Sequence, residues 1–204
     1  VYRLWLENGL YHRPKAQKRR RIGSSANSCV RLRPDYPNHV WSYDFLFDAT
    51  DDGRRLKWMP IIDEHTRECL ALEVERSITS GDLLVILDQL IGERGAPAFI
   101  RSDNGPEFMA EAVRRHLGSL NIETQFIGPG PARENGYIES FNGTLRNELL
   151  SREVFGHLLE ASVPRQKYRQ EYNTERPHSS IDYQTPAEYA ANCIADSTLT
   201  PALV

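Results

Sequence analysis

The sequence predicts an α/β domain: a five-stranded mixed sheet, three antiparallel strands followed by helix, strand, helix, strand and helix, flanked by helices. Two observations carry this. Residues 40–75 hold three runs of aromatic and β-branched residues with strand character, joined by short turns, the pattern of an antiparallel meander. Residues 80–150 instead alternate helical-period runs with short apolar strands, and helical crossovers join strands that lie parallel.

The elements follow in order. VYRLWLENGL places Val1, Leu4 and Trp5 on one helical face and ends in Asn-Gly, a C-cap signal, so residues 1–10 read as the last helix of a larger unit. Residues 11–39 carry no sustained period and are rich in Arg, Ser and Pro, which reads as a basic linker. The compact domain is expected from Val40, with strands VWSYDFLF (40–47), RLKWMPIID (55–63) and ECLALEVE (68–75). Ser80-Gly-Asp opens a helix carrying Leu83, Leu84, Leu87, Leu90 and Ile91, closed by Gly92 to Gly95. A strand over 98–103 precedes a helix from Pro106 to about Leu120, and Pro suits its first turn. Strand 122–127, a Gly/Pro loop, and helices over 135–150, 158–172 and 186–193 complete the domain, which spans 40–192 and leaves 193–204 as a tail.

Composition narrows the function classes. In 204 residues, 40% are hydrophobic and 26% charged, so apolar surface suffices to offset ordering entropy and a disordered chain is excluded. No apolar run approaches the ~20 residues of a membrane helix, and no signal-peptide pattern is present; a cytoplasmic protein without a membrane partner is expected. Cys29, Cys69 and Cys193 stand far apart without CxxC spacing, which argues against a disulfide framework or a structural zinc site. The net charge of −3 conceals a split. Residues 1–40 hold nine Lys or Arg against two acids, a net +7, and residues 41–204 a net −10. The run Lys18, Arg19, Arg20, Arg21 is either a solvated flexible face or an arm for a polyanion.

Three carboxylates stand out. Asp44 sits inside an aromatic strand, where Asp is disfavoured and costly to bury without a partner. Asp103 ends a strand at the carboxyl edge of the sheet, where open α/β sites lie, and Asn104-Gly105 turns the chain after it. Glu139 lies on the helix after the Gly/Pro loop. If the strands of Asp44 and Asp103 are neighbours and that helix packs beside them, the three converge. They would repel unless hard cations sat among them, and two Mg²⁺ ions about 3.5–4 Å apart match that need. Any one of these acids alone reads as a solvated or ion-paired surface group. Asp63, Glu64 and His65 read as a hairpin junction. In Arg176-Pro-His178 the proline ends a helix, with DNA contact as the other reading.

Thirty-five residues separate Asp103 from Glu139. This spacing, with VWSYDF, IIDEHTRECLALEV, RGAPAFIRSDNGPEF, ENGYIESFNGTLRNELL and YNTERPHSSIDYQTPAEY, resembles the DDE transposase and retroviral integrase core, and in particular the OrfB-type transposases of the IS-three family of bacterial insertion sequences. The resemblance covers roughly residues 38–190; the opening helix is similar to the end of that family's helix-turn-helix region. It implies an RNase H-like fold and metal-dependent DNA cleavage and strand transfer at insertion-sequence ends. Asp44, Asp103 and Glu139 would be catalytic and hold two Mg²⁺ ions, with Mn²⁺ able to substitute. That family also places a basic residue two helical turns after the glutamate, which here is Arg146; Asn142 shares its face. Arg146, Asn142 and Lys18 to Arg21 are the expected DNA contacts. The implied partners are double-stranded DNA, further copies of the chain, and a missing or separate helix-turn-helix protein. Two other readings stay open: a catalytically silent DNA-binding derivative, and an RNase H-like nuclease.

Overall fold

The computed structural model describes residues 32–103, 105, 107, 110–126 and 135–199. The opening helix, most of the basic linker with Lys18 to Arg21, Cys29 and the Gly/Pro loop lie outside the described residues. The elements are β1 (Val40–Tyr43), β2 (Leu46–Ala49), β3 (Arg55–Asp63), β4 (Cys69–Glu75), α1 (Ser80–Arg94), β5 (Phe99–Ser102), α2 (Glu111–Ser119), β6 (Glu123–Phe126), α3 (Gly136–Leu145) with a π-helical turn (Arg146–Leu150), α4 (Leu158–Thr174), a 3₁₀ turn (Ser179–Ile181) and α5 (Pro186–Leu199).

β3 pairs antiparallel with β1, β2 and β4, while β5 pairs parallel with β1 and β6. The meander and the parallel crossovers are therefore those expected from the sequence. One strand differs. The run 40–47 is split into β1 and β2, giving six strands, although both halves keep one register on β3 (Tyr43 against Ile61, Leu46 against Trp58). That register sets Asp44 opposite Pro60, which has no N–H to contribute to a ladder. The Phe45 N–H donates to the Asp44 carboxylate at 2.8 Å.

Strict alternation assigns the two faces of the sheet. Trp41, Tyr43, Met59 and Ile61 pack with Leu83, Leu87 and Leu90 of α1 and Val113 and Leu117 of α2. Leu46, Leu56, Trp58 and Ile62 pack with Ile138, Phe141 and Leu145 of α3 and Ala161, Tyr168 and Tyr172 of α4. Asp44 has the parity of Leu46 and so belongs to the α3 face. Burying side chains of this size contributes about 1.5–3 kcal/mol each, which fixes the register firmly.

Two boundaries move. Residues 32–39, expected as linker, belong to the compact unit that begins at Leu32. Asn38 adopts φ 61°, its N–H donates to Asp63 Oδ2 at 2.7 Å, and its Oδ1 accepts from the Trp41 indole at 3.0 Å. The last helix runs to Leu199, past Cys193 where a tail was expected. The Thr185 and Glu188 side chains cap its start reciprocally, each accepting from the other's N–H. Among the described residues no helix is long and apolar enough to cross a membrane.

Candidate active site

Pairing of β1 with β5 sets Ser42 beside Arg101; continued two residues, this parallel register brings Asp44 alongside Asp103. The strand neighbourhood on which convergence depended is thus present. Below it lies a buried polar row. Arg101 donates to both oxygens of Glu64 at 2.7 and 2.6 Å and to Gln125 Oε1 at 3.0 Å, and the Ser42 hydroxyl also bonds Glu64. Glu64, expected as part of a hairpin junction, is a fully buried ion-pair partner at that junction. Removing one member of such a pair would strand a buried charge, at a cost of about 3–5 kcal/mol. The row braces the two strands two residues before each aspartate.

α3 supplies the other wall. Its apolar stripe is Ile138, Phe141 and Leu145; the same spacing shifted by one residue gives Glu139, Asn142 and Arg146 along the border of that stripe. The Asn142 amide donates to Asp44 Oδ2 at 3.0 Å. Its Oδ1 is buried and accepts no hydrogen bond among the described residues. Asp44, Asn142 and Arg146 line one open groove with Phe45, Leu46, Phe47 and Gly143. Arg146 begins the π-helical turn, an irregularity frequent at functional sites.

Asp103 is exposed at the end of β5, and the Gly105 N–H donates to its Oδ1 at 2.9 Å, so Gly105 shapes the turn as expected. Glu139 is exposed on the first turn of α3. Burial above all pushes the Asp44 carboxyl up to about 6; the charges of Asp103 and Glu139 add to this, against the hydrogen bonds from Phe45 and Asn142. Neither of those hydrogen bonds brings a positive charge. The three carboxylates are thus electrostatic neighbours, but among the described residues no three acidic, His or Cys side chains are gathered into a ligand cluster. The expected three-carboxylate metal site is in this sense not closed. Glu139 and Asp103 are exposed, while the Asn142 amide bonds Asp44.

Sequence reasoning passed over two further features. The buried Lys57 ammonium lies 3.7 Å above the Phe45 ring, bonds the Ile78 carbonyl at 3.2 Å and pairs with Glu107, four residues after Asp103. It ties the Asp103 turn to β3; a lysine in the largely apolar run RLKWMPIID is the one signal that could have marked it. Arg176, read with Pro177 as a helix end or a DNA contact, binds Glu148 of the π-helical turn through Nε and Nη2, each at 3.0 Å, and so anchors the C-terminal block to the end of α3.

Comparisons with known proteins give the family and the fold. Residues 34–132 and 120–186 each match a family model described as an integrase core domain. A 31.7 kDa protein of insertion element IS407 from Burkholderia multivorans is 37% identical over 191 residues, covering 94% of this chain and 68% of that protein. A 39.2 kDa protein of insertion element IS476 from Xanthomonas euvesicatoria is 38% identical over 192 residues, covering 94% of this chain but 55% of its own length. The transposase InsD of insertion element IS2D from Escherichia coli is 25% identical over 210 residues, with 97% and 68% covered. Among solved structures, the HTLV-2 integrase catalytic core domain in complex with magnesium superposes with a TM-score of 0.61 at 20% identity, covering 78% of this chain and 99% of that one. This likeness establishes the RNase H-like fold. By sequence and architecture together, the chain belongs to the integrase core domain family, as a DDE transposase of the IS3 type of bacterial insertion elements.

Proposed function

We propose that the chain cleaves DNA at the ends of its insertion element and joins the exposed 3′ hydroxyl to a second phosphodiester, in a divalent-metal-dependent reaction centred on Asp44, Asp103 and Glu139. The observation that supports this most is the state of Asp44: a half-buried carboxyl pushed up to about 6, with two more carboxylates adding to its pKa and only neutral donors bonded to it. Such a group calls for a cation. The donor set fits a hard one: three carboxylates, with the buried amide oxygen of Asn142 unpartnered beside them.

Asp44, Asp103 and Glu139 would hold two Mg²⁺ ions, and Mn²⁺ would serve in their place. Bound there, the ions supply activation of the attacking oxygen and stabilisation of the leaving 3′ oxygen. The protein's own share is positional. The Arg101–Glu64 row fixes the strands of the two aspartates, Asn142 orients Asp44, and Arg146 offers a guanidinium to a phosphate in the groove. Double-stranded DNA is the substrate, bound through Arg146, Asn142 and the Lys18 to Arg21 run. Joining two ends to a target calls for more than one copy of the chain on DNA, and end recognition for a helix-turn-helix segment or partner.

The test is an end-containing duplex incubated with the protein and Mg²⁺. Nicked and joined products should form, vanish with EDTA and be absent from the Asp103→Asn variant, which keeps its fold because Asp103 is exposed. Full activity of that variant would overturn the assignment. Hydrolysis without any joined product would favour a nuclease, and binding without cleavage a silent derivative.

A further inference from the structure

The β1–β5 ladder ends at Ser42 and Arg101, two residues short of Asp44 and Asp103, so beyond it side chains must set the spacing of the two aspartates. Lys57 reaches both segments at once. Its partner across the β2–β3 ladder is Phe47, yet its ammonium lies over the ring of Phe45, at 3.7 Å against 6.0 Å for Phe47. Phe45 follows Asp44 and donates its N–H to that carboxylate. The same ammonium pairs with Glu107, four residues after Asp103, beyond the turn that the Gly105 N–H closes on Asp103 Oδ1. It also donates to the Ile78 carbonyl at 3.2 Å. An ammonium has three N–H groups. With a ring face, a carboxylate and a carbonyl around it, and only 6% exposure, Lys57 has none to spare for a phosphate. Alternation also places Lys57 and Phe45 on the α1 face of the sheet, the opposite face from Asp44. A buried ion pair gives little net stability, and an apolar side chain of like volume often serves a fold as well. The pair is better explained by what it connects.

We propose that Lys57 is a positioning residue: its ammonium clamps the Phe45 ring to the Glu107 carboxylate, and so holds Asp44 and Asp103 at the separation that a shared metal ion requires. This rests on the metal-dependent reading above. The Arg101–Glu64 row braces the same two strands from the α3 face, and Lys57 does so from the α1 face, nearer the aspartates. The clamp acts behind the site and touches neither metal nor DNA.

The experiment uses the full chain with Lys57→Met, Glu107→Ala, the two combined, and Lys57→Arg as the replacement that keeps the charge. The Glu107 side chain is 28% exposed, so its removal opens the clamp without emptying the core. Exchange of the Gly105 amide is followed by NMR in EDTA, Mn²⁺ binding by the electron paramagnetic resonance of the free ion, and affinity for an end-containing duplex by anisotropy in EDTA. Opening the clamp should speed Gly105 exchange about tenfold and weaken Mn²⁺ binding about 10–100-fold. The double variant should lose no more than either single one, because the two side chains act as a unit. Lys57→Arg should stay near the wild type in both measurements, and duplex affinity should be the same in every variant. Leu90→Ala, a truncation in the core of α1, reports lost stability alone and should leave Mn²⁺ binding of the folded protein unchanged. Unaltered Gly105 exchange in Lys57→Met, additive losses in the double variant, or an equal loss of Mn²⁺ affinity in Leu90→Ala would overturn the clamp. The two readings fail differently: Mn²⁺ uptake that Lys57→Met leaves intact removes only the clamp, whereas a wild type that takes up no Mn²⁺ removes the metal assignment and the purpose of the clamp with it.

Discussion

Asp44 is a residue held against its own electrostatics. Its carboxyl is pushed up to about 6, above the ordinary 3.8, chiefly by burial. The folded chain therefore holds this proton more tightly than the unfolded chain. As pH rises from about 4 to about 6 the unfolded state ionises first, so Asp44 lowers stability through that window and keeps it lowered above. Asp44→Asn, which cannot ionise and can still bond Asn142, should stabilise the metal-free protein at pH 7.5 by about 1–2 kcal/mol after allowance for solvent screening, and by nothing near pH 3. Urea titrations at the two pH values check this. The same variant should lose both cleavage and the stabilisation by added Mg²⁺ that a metal-binding wild type shows. A carboxylate whose removal strengthens the apo fold while abolishing its chemistry is the signature expected of a ligand in waiting.

At the scale of elements, the end of α3 and the segment after α4 act as one joint. Glu148 on the π-helical turn binds Arg176, and His178 packs edge-on against Tyr172 with ring centroids 4.7 Å apart. Burial, followed by the Arg176 charge, pushes His178 down to about 4 from 6.5. A histidine depressed in the folded state contributes stability above its unfolded value of about 6.5, lost as pH falls towards 4. Since His178 is only half-buried, the loss should amount to about 1–2 kcal/mol. His178→Gln should lower stability at pH 7.5 relative to pH 4.5 by about that amount compared with the wild type, in which Asp44 acts in the opposite direction over the same window, as measured by urea unfolding; an unchanged difference would remove His178 as a contributor. Legibility differs along this joint. The strands, the helices and the oddity of Asp44 could be read from the sequence because alternation, helical period and an aspartate in an aromatic strand are local signals, whereas Asp103 and Glu139 are singled out with it by their spacing and the family resemblance. The pairs Glu64 with Arg101 and Glu148 with Arg176 could not, because each joins residues tens of positions apart and neither partner violates a local rule. The split at Asp44 had a local sign, Pro60 in the facing strand, but its register against Asp44 is a tertiary fact.

At the scale of the whole molecule, charge is divided along the chain. Nine cations and two acids occupy residues 1–40, while residues 41–204 carry a net −10. A core of that sign repels a polyanion except where Arg146 faces the groove, so DNA affinity in the absence of divalent metal should depend on the basic segment. Each phosphate neutralised on B-form DNA contributes about 0.9 to the slope of log affinity against log salt. If Lys18, Arg19, Arg20 and Arg21 each meet a phosphate, replacing all four by Gln should make that slope shallower by about 3–4. The same replacement should leave the unfolding midpoint unchanged, since these residues lie outside the compact unit that begins at Leu32. Mg²⁺ should then restore part of the lost affinity by neutralising the carboxylates at the groove, and should do so less in an Asp44→Asn background. Binding isotherms of wild type and the quadruple variant across a salt series, with and without Mg²⁺, decide between the two possibilities for the basic run. A parallel pair of lines would assign it to solvent; a difference in slope assigns it to the DNA backbone, and with it the division of labour between a cationic arm that captures DNA and an anionic core that admits it only with metal.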